Sequence, residues 1–314
     1  MKLLDFRLAF RFHRFEILAF GILIILAAVG AAFVAANLDA TGYAAHCSPY
    51  ADNPPSCEAM GRAFYDIQNG QVGAVQSVLM ALPFLLGALT GAAVIGREIE
   101  RGTSRLAWSL APSRTRWFLT RALPVLVVVF ALSFLAGAAL DRLTASIDPW
   151  TDASQNFAAF GGRGVVLAGR ATFVFAIGVA VGAILGRALP ALIVTAVIAS
   201  VAISGGSYVH NRILATEAVF VANNAPGDLF VDQRVRLADG RVVTWDEANA
   251  LYPELQNGPT DGAIWPPEGM AIVNLVVPAS RYRFVEAREV GALAGASLVA
   301  LVLAAFAVRR RRPG

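Results

Sequence analysis

Two cysteines and a neighbouring histidine are the residues whose types first suggest chemistry. Cys47 and Cys57 are the only cysteines of the chain, and His46 precedes the first of them. Cysteines in a polar segment that faces an oxidising compartment form disulfides. A structural zinc site needs four ligands, and one histidine with two cysteines falls short of that number. The pair is therefore predicted to close a small loop through a disulfide rather than to bind a metal.

The other residues of catalytic type do not form a known catalytic arrangement. His13, His46 and His210 stand far apart, and the chain has neither an H-E-x-x-H nor a G-x-S-x-G motif. The phosphate-binding loop of an ATPase needs a lysine after its glycines, and Lys2 is the only lysine. The chain is therefore predicted not to hydrolyse ATP and not to be an enzyme. An intramembrane enzyme that uses outer polar residues such as Asp141 is a minor alternative.

A charged stretch at residues 96–117 separates two long apolar runs. It reads GREIERGTSRLAWSLAPSRTRW. Gly102 offers the left-handed conformation that ends one helix, Thr103 can cap the next, and Pro112 ends that helix in turn. This pattern predicts a short helix near 103–111. A helix of this length is unstable alone in water and needs a surface on which to dock.

The predicted short helix presents apolar side chains beside basic ones. Leu106 and Leu110 lie four residues apart and therefore share one helix face, with Arg105 and Trp108 next to them. By charge alone, the stretch is equally typical of a basic loop on the inner face of a membrane, where Lys and Arg accumulate. The order of its features indicates a more specific role.

That order resembles the permease subunits of type-2 ATP-binding cassette (ABC) exporters. In that family a Glu-x-x-Arg-Gly-Thr segment followed by Pro-Ser-Arg forms the coupling helix that docks on the ATPase subunit. This chain has E-I-E-R-G-T at 98–103 and P-S-R-T-R at 112–116, and P-A-S-R-Y-R-F at 278–284 is similar to actinobacterial members. The resemblance assigns ATPase docking to these residues: Glu98, Arg101, Gly102, Thr103, Arg105, Leu106, Trp108, Leu110, Pro112 and Arg114.

The resemblance also implies the partners of such a subunit. Two permeases, identical or paired with a homologue, work with two separate P-loop ATPase subunits. ATP and magnesium bind to those partners, so no cofactor is expected in this chain. The expected cargo is an amphiphilic small molecule, natural product or lipid that moves outward. Membrane lipid surrounds the bundle, and nucleic acid is not an expected partner.

Composition places the chain among membrane proteins. Hydrophobic residues make up 57% and charged residues 15% of the sequence, against about 25% charged residues in soluble domains. A helix needs about 20 apolar residues to cross a bilayer. Runs of that length are predicted as spans at 17–37, 75–96, 117–140, 164–186, 188–209 and 290–308. The predicted fold is therefore an all-α polytopic membrane protein with six transmembrane helices.

The distribution of charge predicts the orientation of the spans. With residues 97–121 inside, the inner segments hold 15 of 26 basic residues and 4 of 22 acidic residues. Because inner loops carry the excess of Lys and Arg, both termini are predicted to be cytoplasmic. The resemblance implies that the membrane is a bacterial cell membrane. Residues 1–16 are predicted to form an interfacial helix, and 309–314 a basic cytoplasmic tail.

The largest outer segment, residues 210–289, is predicted to form a small extracellular α/β cap. Residues 235–243 indicate two short strands about Asp239 and Gly240. Thr244 can cap a short helix that follows. Residues 257–269 are rich in Gly and Pro and are predicted to be loop. The many acidic residues of this segment are interpreted as a solvated face rather than a cation site.

Arg170 is the one ionisable residue that lies clearly inside a predicted span. Its position near the outer end of that span allows the side chain to snorkel to the membrane surface. Alternatively, it faces the bundle interior and contacts an anionic group of the substrate or a partner carboxylate. Arg170 is therefore the candidate substrate contact.

Glycines recur at four-residue spacing in three predicted spans. They are Gly87 and Gly91, then Gly178, Gly182 and Gly186, and finally Gly291 and Gly295. Small residues at this spacing let helices approach closely in membranes. We therefore expect these glycines to lie at helix contacts within the bundle.

These features together predict the transmembrane permease of an ATP-driven exporter, coupled to a separate ATPase through residues 102–112. Spans one to five fill residues 17–209, and the sixth follows the cap. Two alternatives stay open. One is a membrane receptor or scaffold with an extracellular binding cap, and the other is an ABC subunit that transmits force without transport.

Overall fold

The computed structural model describes residues 3–47, 53–111, 113–253 and 269–311, without the side chains of 3–13, 105–107, 110 and 153. Its α-helices are α1 (Leu3–Ala40), α2 (Tyr43–His46), α3 (Ser56–Ile67), α4 (Gly73–Glu100), α5 (Thr103–Leu110), α6 (Arg114–Ile147), α7 (Gly164–Leu185), α8 (Ala188–Glu217), α9 (Trp245–Leu251) and α10 (Tyr282–Arg310). Its strands are β1 (Val219–Val221), β2 (Leu229–Arg236), β3 (Val242–Val243) and β4 (Ala271–Val277).

The chain divides into two compact units. The helical unit comprises Met1–Trp150, Ala159–Gly205 and Glu286–Gly314, and the smaller unit comprises Thr151–Ala158 and Gly206–Val285. The smaller unit thus begins and ends slightly earlier than the predicted cap at 210–289, and it also includes a short segment that follows α6.

Six helical segments of the described ranges are long and apolar enough to cross a membrane. They are Arg14–Ala40, Ser56–Glu100, Arg114–Ile147, Gly164–Leu185, Ala188–Glu217 and Ala279–Arg310. A helix satisfies every backbone hydrogen bond within its own segment, which an apolar environment requires. Each predicted span falls on one of these segments, so the predicted six-helix membrane fold is confirmed.

Helix extends beyond the predicted spans in two places. The described part of the predicted interfacial helix, residues 3–16, is helical, and α1 continues it without a break to Ala40. Before the second predicted span, α3 continues through a π-helical turn, Gln68–Val72, into α4. Cys57, Gly61 and Phe64 are the buried residues of α3. Their spacing is that of one helix face.

Close packing between α4 and α7 forms the centre of the helical unit. A Cβ atom added to Gly87 would lie 2.6 Å from the carbonyl oxygen of Ala171, and one added to Gly182 would lie 2.8 Å from that of Ala92. No side chain fits there, so glycine is required. By contrast, a Cβ atom at Gly291 or Gly295 would meet no described atom within 4 Å. The predicted bundle contact is therefore wrong for those two glycines of α10.

The smaller unit is built on a four-stranded antiparallel sheet in the order β1-β4-β2-β3. The predicted hairpin is present: Val235 pairs with Val243, and Gly240 in the turn has a φ of 85°. Thr244 caps α9, as predicted, in a capping box with Glu247. The backbone N–H of Thr244 donates to the Glu247 carboxylate and lowers the pKa of that carboxyl. Residues 257–268, predicted as loop, lie outside the described residues.

Candidate functional site

Two ion pairs join the end of α4 to neighbouring helices. Arg97 pairs with Glu16 of α1, and Glu98 Oε1 lies 3.1 Å from Nε of Arg121 in α6. The side chains of Glu98 and Arg121 are 17% and 16% exposed. Because so little water reaches this second pair, its attraction is screened weakly. Glu98, predicted as an ATPase contact, is therefore engaged within its own chain.

Glu100 connects the same end of α4 to α8. One of its carboxylate oxygens accepts the backbone N–H of Ala188 at 3.0 Å. Ala188 is the first residue of α8, where backbone N–H groups have no partner inside the helix. A carboxylate at that position satisfies one such donor and also complements the positive end of the helix dipole. Three charged residues at the end of α4 thus tie it to α1, α6 and α8.

A tight turn connects α4 to α5. Gly102 has a φ of 72°, a conformation that glycine adopts without strain. Its N–H donates to the carbonyl of Ile99 at 3.0 Å, and Thr103 Oγ1 donates to the carbonyl of Glu98 at 3.1 Å. The predicted short helix follows as α5, between the two spans formed by α4 and α6. We call this part of the helical unit the α5 end.

The predicted docking residues fall into three groups. Arg101, Gly102 and Thr103 are exposed at the turn. Arg105, Leu106, Leu110 and Pro112 lie outside the described side chains. Glu98, Trp108 and Arg114 contact other parts of the chain. A partner can therefore reach Arg101, Gly102 and Thr103, whereas the other described docking residues contact their own chain.

Trp108 and Arg114 pack on one another at the α5 end. The Trp108 ring meets Trp117 of α6 edge to face, with centroids 5.8 Å apart. The guanidinium carbon of Arg114 lies 4.7 Å from the centroid of the Trp108 ring. A cation over the face of an indole is attracted by the quadrupole of the ring. This cluster fixes α5 against the first turn of α6.

The end of α10 reaches the same place. Arg114 Nη1 donates to the carbonyl oxygens of Arg309 and Arg311, at 3.1 and 2.6 Å. Arg309 Nε in turn donates to Thr115 Oγ1 at 2.6 Å, and Arg311 Nη1 donates to the carbonyl of Ala183 in α7 at 2.8 Å. The predicted basic tail is therefore held on α6 and α7 up to Arg311.

A groove of about 620 Å³ opens beside these contacts. Its lining residues are Ile99, Glu100, Leu185, Gly186, Arg187, Pro190 and Arg311. The α5 end therefore combines an exposed turn, a short helix and a groove with both carboxylate and guanidinium groups.

Arg170, the candidate substrate contact, has a partner in α10. Its Nη2 lies 2.9 Å from Oε1 of Glu289, and the two side chains are 14% and 16% exposed. The structure therefore places Arg170 against a carboxylate of the protein, which is one of the two predicted alternatives. Glu289 was assigned to the cap, whereas it lies within α10.

The disulfide and two further ion pairs lie where α1 and α6 end, opposite the α5 end. Cys47 and Cys57 are bonded, and the Trp150 indole donates to the carbonyl of Cys47 at 3.1 Å. Asp141 accepts from Arg163 at 2.7 Å. Arg142 and Asp39 form the second ion pair. Across the described ranges, no group of three or more His, Cys, Asp or Glu side chains is arranged to hold a metal ion.

The partners of these charged residues were not predicted from sequence. Glu16, Arg121 and Arg311 carry contacts of the α5 end, yet each lies at the boundary of a span, where a charge is typical of any membrane helix. A charge at such a boundary shows only that the span ends. Which charge meets which depends on the packing of the helices.

Residues 18–208 match the model of a family described as ABC-2 membrane transporter related. The matched range covers more than half of the chain and includes α5 with the turns on either side of it. No curated protein and no solved structure matches the chain.

Proposed function

Because the chain belongs to the ABC-2 membrane transporter related family, we propose that it is the permease subunit of an ATP-driven exporter. The subunit moves an amphiphilic small molecule, natural product or lipid outward across a bacterial cell membrane. ATP and magnesium bind to a separate P-loop ATPase. Two permease subunits, identical or homologous, form the pathway together. Family membership also argues against a receptor that works without an ATPase.

The observation that carries this proposal is α5. It is a helix of 8 residues between two spans, its first residue Thr103 is exposed, and the exposed Arg101 lies in the turn before it. Its sequence places Leu106 and Leu110 on one face. A short amphipathic helix with a basic border is suited to a groove on a partner protein. We therefore assign ATPase docking to α5 and its exposed turn.

The α5 end faces the cytoplasm in this proposal. ATP is available there, and the excess of basic residues in the segments at this end follows the positive-inside rule. The contacts of Arg97 with Glu16, and of Arg114 with Arg309, bring the beginning and the end of the helical unit to the same face. Both termini are therefore cytoplasmic.

ATP binding closes the two ATPase subunits, and the closure displaces α5. The displacement passes to α4 through the turn at Gly102 and to α6 through the Trp108–Trp117 contact. The ion pairs of Arg97 and Glu98 keep the end of α4 with α1 and α6, so these helices move as a group. The bundle then changes between inward and outward access, a two-state transition driven by differential binding.

Affinity purification in mild detergent tests the docking assignment. The tagged chain is expected to retain a P-loop ATPase, and Leu106→Asp or Leu110→Asp is expected to release it, because a carboxylate cannot be buried in an apolar groove without a large penalty. Leu251→Asp, at a 53% exposed position of α9, is the control and should retain the ATPase. If no ATPase co-purifies, or if both α5 variants retain it fully, the proposal is wrong.

A further inference from the structure

The last carbonyl groups of α10 are bound by a side chain from another helix. Carbonyls at the end of a helix lack an intrahelical donor. Arg114 supplies a donor to the carbonyl of Arg309 in the last turn and to the carbonyl of Arg311, which directly follows the helix. Its positive charge also complements the negative end of the helix dipole. A single guanidinium thus stabilises the end of α10.

The same guanidinium lies on Trp108 of α5. The cation–π contact at 4.7 Å places Arg114 between α5 and the end of α10, while its backbone begins α6. We call this contact set the Arg114 junction, defined by Arg114, Trp108 and the carbonyls of Arg309 and Arg311. Three helices therefore meet at one side chain.

Attraction between opposite charges does not explain the junction. Arg114 contacts a segment that is itself basic, Arg309–Arg311, and the acceptors in its described hydrogen bonds are backbone carbonyls. Two carbonyls and an aromatic face suit the planar, multiply donating guanidinium, whereas a lysine ammonium lacks that shape. The contact therefore depends on arginine at position 114, and it does not depend on the side chains of Arg309 and Arg311.

We infer that Arg114 is a positioning residue that fastens the end of α10 to α5, so that a displacement of α5 carries α10 with it. This inference rests on the proposed function but changes the role expected for Arg114, whose guanidinium binds its own chain rather than the ATPase. Glu289, the partner of Arg170, lies in the same helix. A displacement of α5 is therefore transmitted along α10 to the region of Glu289, independently of α4.

Cysteine cross-linking in the full-length chain measures the fastening directly. Thr115 Oγ1 and Arg309 Nε are 2.6 Å apart, so a short bis-maleimide should join Thr115→Cys to Arg309→Cys rapidly. These substitutions leave the carbonyl acceptors of Arg114 in place. Adding Arg114→Ala is expected to slow the cross-link on the order of tenfold, as for loss of a hydrogen bond to a charged group. Arg116→Ala removes an equal charge from an exposed neighbour and should leave the rate unchanged.

A second readout separates positioning from docking. Arg114→Ala should still co-purify with the ATPase. The rate of ATP hydrolysis by the purified complex should then equal that of the ATPase without the permease. If the variant releases the ATPase, or if it cross-links at the rate of the parent, the inference is overturned. If no ATPase binds even the parent chain, the proposed function fails, whereas the cross-linking rate still decides the fastening.

Arg114→Lys serves where the alanine variant does not fold. The lysine retains a positive charge near Trp108 but has no planar fork for the two carbonyls. It is expected to keep the ATPase and to slow the cross-link. A lysine variant that cross-links like the parent overturns the inference equally.

Discussion

The carboxylate of Glu98 occupies a position where an unpaired charge would be poorly solvated. Its partner Arg121 comes from a different helix, so the ion pair exists only after α4 and α6 have packed. Removing charges from water is costly, and an ion pair recovers that free energy only when both members are present. The ion pair therefore adds little net stability. Its main effect is that other arrangements of α4 and α6, in which the charges would be unpaired, are unfavourable.

Loss of one member of this pair should destabilise the helical unit. We expect Glu98→Ala to lower the free energy of unfolding by about 2–4 kcal/mol, because Arg121 is left with little water and no carboxylate. Thermal unfolding in detergent measures the effect. Glu58→Ala, which removes the partner of Arg62 from a pair 80% and 73% exposed, should change stability by less than about 1 kcal/mol.

A double variant tests whether the effect belongs to the pair. Adding Arg121→Ala to Glu98→Ala should restore part of the lost stability, because the unpaired charge is then gone. If the two single effects simply add, Glu98 and Arg121 act independently and the interpretation is wrong.

At the scale of elements, local signals predicted those parts whose cause is local. The Asp239–Gly240 turn and the Thr244 cap each depend on a few consecutive residues, and both are present as predicted. The spans followed from length and apolar content alone. Such features need no knowledge of which elements are neighbours.

Elements whose cause is tertiary were missed. Strand β1 pairs with β4 from Val219 to Val276, across more than fifty residues, and neither strand has a turn signal that indicates this partner. The helix α3 was not predicted, because many of its residues are polar. Its buried face is defined by contacts with Tyr43 and by the disulfide, which sequence alone does not show. At the α5 end, sequence predicted the helix but not the contacts of Arg114.

The contact between α4 and α7 allows a test at this scale. Gly87→Ala should destabilise the bundle by about 1–3 kcal/mol, because the added methyl group meets the backbone of α7, which cannot rotate away. Gly295→Ala introduces the same methyl group where no described atom is within 4 Å, and no loss is expected. Thermal unfolding of both variants in detergent decides the matter. Equal losses would show that steric contact between α4 and α7 is not the cause.

For the whole molecule, most charged contacts of the helical unit cluster at its two ends, whereas the Arg170–Glu289 pair lies inside the bundle next to the contact of Gly87 with Ala171. At the α5 end, the acceptors and donors belong to every span: Glu16, Glu98, Arg121, Ala183, Ala188 and Arg309. At the opposite end, a disulfide and the Arg163–Asp141 pair hold the chain between spans. A disulfide is typical of an oxidising compartment, so its position opposite the α5 end supports the proposed outward orientation of the end that carries it.

This separation makes the orientation testable with single cysteines. The native cysteines are bonded to each other, so an introduced cysteine is the only thiol available to a membrane-impermeant maleimide. Arg62→Cys, at a 73% exposed side chain of α3, should react in intact cells, because α3 lies on the outer side in the proposed topology. Arg101→Cys, in the exposed turn before α5, should react only in inside-out vesicles or after permeabilisation. Since an ATPase reaches α5 only from the cytoplasm, the reverse labelling pattern would exclude ATP-driven coupling through α5.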